Sequence, residues 1–225
     1  PYILDTSGGQ HPQLMAPFTG EPSQPQQIAL ALVPKVAAFF SICGSSYIIY
    51  DVLKKEEKQR KKRTTYHRLM VGLSTCDIIM SAGLFSSTWP MPKDTPNVWG
   101  ALGTTRACAA IGFLEQAGVS AVLYSGSLSI YYLLRIRNGW KEYQIVKYEP
   151  FMHFIPIVFG LSTMIAGLVL DLFNSGIFDC WIAPFPQGCQ ESWKYNGETT
   201  CIRGDNASIY QWAFDIIPKF SAVFL

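Results

Sequence analysis

Ionisable and strongly polar side chains are few where this chain is most apolar, so each one there is a candidate for chemistry. Glu115 lies seven residues beyond Cys108 in the run CAAIGFLEQAGVSAVLYSGSLSIYYLL, and Asp77 sits near the middle of another apolar run. Gln211, Asp215 and Lys219 recur every four residues, which places them on one face of a helix with the acid ahead of the base. A carboxylate at bilayer depth costs about 3 kcal/mol on insertion scales and so faces protein or a wet cavity. The chemistry open to these groups is recognition of a ligand, holding of an ion, or pairing between helices. No phosphate-binding glycine loop or nucleophile motif occurs, and His11, His67 and His153 are scattered, so neither an enzyme nor a metal centre is expected.

The elements that must position these residues are long apolar segments. Residues 28–50, 67–88, 107–134 and 151–173 each approach the ~20 apolar residues that cross a hydrocarbon core. A fifth run begins near Ser208 and is cut off at Leu225. Only 15% of the chain is charged, against ~25% in soluble domains, which excludes an ordinary soluble fold. The expected fold is all-α: a polytopic membrane helix bundle over residues 28–225, with the lipid bilayer as its surroundings. Residues 1–27 contain no Lys or Arg and no hydrophobic periodicity, and are expected to be a flexible tail. A nucleic-acid role is excluded by the company of four spans.

Basic residues sort between the connections. The first and third loops hold twelve Lys and Arg, against four in the tail, second and fourth loops together. This positive-inside pattern puts the amino terminus outside. The sequon Asn206-Ala207-Ser208 then falls on the outer face, where glycosylation occurs. So do Cys108, Cys180, Cys189 and Cys201, in a cysteine-rich loop at 174–207 and at the head of the third span. Four cysteines allow three pairings. The expected one closes CWIAPFPQGC as a local ring, Cys180 with Cys189, and leaves Cys108 to join Cys201. Lys35, two turns inside the first span, is expected to snorkel to the headgroups.

Several stretches resemble a known family. TTYHRLMVGLSTCDIIMSAG is similar to the second helix of rhodopsin-like G-protein-coupled receptors, and Pro218 in IYQWAFDIIPKF resembles the proline of their fifth helix. RIRNGWKEYQIVKYEPFMH and the CWIAP…GC…CIRGDNA loop resemble orphan receptors of microbial eukaryotes related to cyclic-AMP-type receptors. The chain departs from the family at IYYLLRIR, where rhodopsin-like receptors have Asp-Arg-Tyr. Their activation lock is therefore missing here or rebuilt around Arg135.

The resemblance covers residues 28–225 and implies the front five helices of a seven-helix receptor of the plasma membrane. It implies that Asp77 holds a sodium ion and its waters, and that Glu115 is a counter-ion for an extracellular ligand, the alternative for Glu115 being an internal pair with Lys35 or Lys219. The stripe of Gln211, Asp215 and Lys219 either lines the same pocket or glues helices together. It also implies that Arg135, Arg137, Trp140 and Tyr143 contact a heterotrimeric G protein. The alternative is a tetraspan-like scaffold that binds partners through its cysteine-rich loop.

Overall fold

The computed structural model describes residues 22–59, 64–93, 95–176, 178–186, 189 and 201–223. Among these, four helices are long and apolar enough to cross a membrane. They are α1 (Gln24–Gln59), α2 (Thr65–Ser86), a 33-residue rod from Thr105 to Arg137, and α6 (Glu149–Val169). The rod is α3 (Thr105–Glu115) and α4 (Ala117–Tyr132) joined at Gln116, ending in a π-helical turn at Leu133–Arg137. A short helix, α5 (Glu142–Ile145), bridges the rod to α6. After α6 come two antiparallel strands, β1 (Phe173–Ser175) and β2 (Cys180–Ile182), with Phe173 opposite Ile182. The last segment is helical from Ala207 to Val223: α7 (Ala207–Gln211), a π turn at Trp212–Ile216, and α8 (Ile217–Val223). The all-α membrane bundle expected from the apolar runs is what the chain forms, with one small hairpin added.

Two boundaries set the structure apart from the sequence expectation. Residues 24–27, assigned to the tail, already belong to α1, because the Gln26 side chain caps the Ser23 backbone N–H at 2.8 Å. The fourth span ends at Val169, not 173: Asp171 turns the chain in the left-handed region at φ 52°. Leu172 and Phe173 extend the apolar run in sequence, yet they fill the core under the hairpin with Ile182 and Ala207. Most of the tail, residues 1–21, lies outside the described residues.

The expected disulfide pairing is corrected. Cys108 pairs with Cys180, and Cys189 pairs with Cys201. Strand pairing decides this. Cys180 opens β2, is fully buried, and packs in one cluster with Cys108 at the head of α3. The shortest ring in sequence was the wrong guide, because the strand had already committed Cys180 to the helix.

The rod packs on α2, on α6 and on α8, so it is the central helix of the described bundle. Where it meets α6 the backbones nearly touch: a Cβ on Gly160 would lie 1.7 Å from Ser120 Oγ. Polar atoms also cross this seam. Pro156 lacks the N–H that would bond the Met152 carbonyl, and Ser127 Oγ donates to that carbonyl at 3.1 Å instead. Ser120 Oγ donates to the Pro156 carbonyl at 3.0 Å.

Lys35 does not snorkel. It is buried, donates to the Ser86 carbonyl at 2.6 Å, and lies 4.1 Å from the Trp89 ring centroid. A cation there satisfies carbonyls left open at the carboxyl end of α2.

Replacing Gly160 by alanine should destabilise the bundle by roughly 1–3 kcal/mol through overpacking. Adding Ser120→Ala should recover part of the loss. Thermal melts of the purified protein in detergent read both effects, and an unchanged melt for Gly160→Ala would contradict the close approach.

Candidate functional site

Gln116 is fully buried at the junction of α3 and α4, where the Val119 N–H bonds back three residues to its carbonyl. Its side chain meets three other elements. Nε2 donates to Thr163 Oγ1 of α6 at 3.3 Å and to the Phe214 carbonyl at 3.4 Å. Oε1 accepts from Trp181 Nε1 of β2 at 2.8 Å. The Phe214 carbonyl sits in the π turn just before Pro218, where the winding is interrupted. One amide thus ties the rod to α6, the hairpin and the last helical segment. Sequence reasoning missed it, since a lone neutral amide in an apolar run carries no local signature.

Glu115, the neighbouring residue, faces α2. A Cβ on Gly83 would meet its Cγ at 2.8 Å, so glycine makes the room it occupies. Its carboxylate is buried, and among the described residues Oε1 has no hydrogen-bond partner. It pairs with neither Lys35 nor Lys219, the internal partners expected as its alternative: Lys35 serves α2 and Lys219 serves Asp215. The charge nearest in kind is Asp179 of the hairpin turn, which repels it.

Burial within the hairpin turn pushes the Asp179 carboxyl up from 3.8 to about 6. A raised folded-state value means the folded protein binds the proton more tightly than the unfolded chain does. Stability is therefore greatest below about pH 4 as far as this group decides, falls as the pH climbs towards 6, and is level above that.

Gln211, Asp215 and Lys219 form the single stripe that their spacing predicts. Gln211 Nε2 donates to the Ile182 carbonyl of β2 at 2.6 Å. Asp215 is buried and paired with Lys219 at 2.6 Å, and Lys219 lies 5.7 Å from the Trp181 ring centroid. The stripe therefore grips the hairpin, while Glu115 faces α2 on the other side of Gln116. Glu115, Gln211 and Asp215 share the neighbourhood of the hairpin without contacting one another through any described hydrogen bond.

Asp77 is held by α1. Ser41 Oγ and Ser45 Oγ both donate to its Oδ2, at 2.7 and 2.6 Å. Two hydroxyls one helical turn apart meet one carboxyl oxygen from α1, and no role for sodium follows from this geometry.

At the basic end, Arg135, Arg137 and Tyr143 are exposed. Arg135 donates to the Trp140 carbonyl at 3.0 Å, and Trp140 stacks 5.6 Å from Tyr148. The acid–arginine pair at this end is Arg68 with Glu149, joining α2 to α6. Glu142 of α5 caps the first backbone N–H of α2, at Thr65, at 2.6 Å, and accepts from Tyr131 at 3.2 Å. None of this network was expected, because its members are far apart in sequence. Asn206 is exposed at the start of α7 with φ 57°.

One cleft of about 580 Å³ opens at the hairpin end, lined by the start of α3 and the end of α6. It does not include Glu115, Gln211 or Asp215. In comparison with known proteins, no family model matches the chain and no curated protein is significantly similar to it.

Gln116→Leu leaves the Trp181 N–H and Thr163 hydroxyl without this partner, and should destabilise the protein by roughly 1–3 kcal/mol. Trp181→Phe in the same chain removes one stranded donor and should restore part of the melt. Asp179→Asn should flatten the fall in melting temperature between about pH 4 and 6. A variant whose melt keeps the wild-type pH dependence would place the titration elsewhere.

Proposed function

We propose that this chain is the front part of a seven-helix receptor of the plasma membrane that senses an extracellular ligand and signals to a heterotrimeric G protein. The observation that carries the reading is the hydrogen bond from Trp181 to Gln116. The hairpin, fixed to the rod by Cys108–Cys180, thereby reaches into contacts shared by the rod, α6 and the last helical segment. A molecule that displaced Trp181 would have to rearrange those contacts. Signals can cross a membrane this way, because packed interfaces tend to switch between discrete arrangements.

In this reading the hairpin end is extracellular and Asn206 carries the glycan. Glu115 supplies the charge for a ligand, and Gln211 and Asp215 supply contacts that the ligand competes for. The exposed surface around Arg135, Arg137, Trp140 and Tyr143 meets the G protein. The Arg68–Glu149 pair and the Glu142 cap take the place of the missing acid–arginine lock at the third helix.

The native transcript read past Leu225 tests this first, with two further hydrophobic spans expected. The full-length protein in lipid nanodiscs should then speed GDP release from a heterotrimeric G protein, and Arg135→Ala with Tyr143→Ala should weaken that effect several-fold. A reading frame that stops soon after the fifth span, or a full-length protein inert towards every G-protein class tried, would overturn the proposal.

A further inference from the structure

We propose that the cleft between α3 and α6 at the hairpin end is a binding site for a single phospholipid, which seats one acyl chain along α3 and places its phosphodiester on Arg106. The cleft has a volume of about 580 Å³, within the ~300–1,000 Å³ usual for small-molecule sites. Its walls separate by chemistry. Ala109, Ala110, Phe113 and Leu114 of α3 face Leu168 of α6 along the apolar part. These four α3 residues fall one turn apart in pairs, so the small alanines leave a slot that Phe113 and Leu114 close at depth.

The rim is polar. Arg106 stands one residue inside the spanning rod, is exposed, and has no hydrogen bond or ion pair with any described residue. Arg203 is also at the rim but is occupied by Asp171 at 2.6 Å. Among the described residues, the rim therefore presents one uncompensated guanidinium above an apolar slot. A guanidinium matches the two free oxygens of a phosphodiester in a planar, two-pronged contact.

The occupant follows from where the cleft lies. Both walls belong to helices long and apolar enough to cross a bilayer, so the slot opens onto lipid over its apolar length. Water has no polar partners there and would not fill it. The back of the slot is finished, since Ala109 and Phe113 pack against the buried cluster of Leu172, Phe173, Ile182 and Ala207. A chain lying in the slot would rest on the same cluster that supports the hairpin.

The test uses the full chain reconstituted in phosphatidylcholine vesicles doped with a phosphatidylcholine that carries a photoreactive diazirine in its acyl chain. Label mapped by mass spectrometry should concentrate on the peptides holding Ala109–Leu114 and Leu168. Arg106→Gln should lower that label about fivefold, the factor for one basic contact at a membrane surface, and Ala110→Phe should displace it by filling the slot. Arg137→Gln, at the opposite end of the rod, should leave it unchanged, as should an excess of inorganic phosphate. Label spread evenly over all the spans would overturn the proposal, and so would enrichment that survives both cleft variants in a protein whose melt is intact. Loss of label on Arg137→Gln as well would show a general charge effect and would equally sink it.

Discussion

A membrane-spanning helix that contains proline leaves a carbonyl with no backbone donor, and in hydrocarbon there is no water to supply one. Pro156 does this to Met152 within α6, and Pro218 interrupts the winding next to Phe214 in the last helical segment. Both carbonyls are answered from the same helix: Ser127 donates to the first and Gln116 to the second. The rod therefore has to lie between α6 and the last helical segment, with one polar face turned to each. Its position at the centre is set by these obligations as much as by its apolar surface. The near-contact of Gly160 with Ser120 follows, because a hydroxyl can reach a carbonyl on the next helix only where the backbones come close.

What the sequence disclosed divides by range. The apolar runs announced four spans because hydropathy is a local property, and the Asp215–Lys219 pair was foreseen because both residues sit on one helix, one turn apart. Asp77 drew attention as a carboxyl group in an apolar run, but its partners Ser41 and Ser45 lie on another helix, and nothing in their own neighbourhood marks them. Leu172 and Phe173 misled because hydropathy reports burial and is silent on whether lipid or a hairpin provides it. Cys180 misled because ring length in sequence says nothing about strand register. Gln116 is the extreme case: its three partners come from three separate elements, so its importance exists only after the chain has folded.

The two ends of the bundle solve the same problem with different materials. At the hairpin end, disulfides and neutral hydrogen bonds join the elements beside the Arg203–Asp171 ion pair, and the carboxylates of Glu115 and Asp179 are set against each other. At the basic end, the joining is ionic, through Arg68 with Glu149 and through Glu142 on the start of α2. Ionic contacts near headgroups and water are more readily exchanged than a disulfide is.

The π turn at Trp212–Ile216 holds one residue more than the α winding on either side of it. That surplus residue can be lost without moving the flanking helices out of phase, whereas a deletion almost anywhere else in the segment would rotate everything beyond it by about 100°. In descent, then, this turn is the place where chain length can drift by one while Gln211 keeps facing the hairpin and Lys219 keeps its side of the helix.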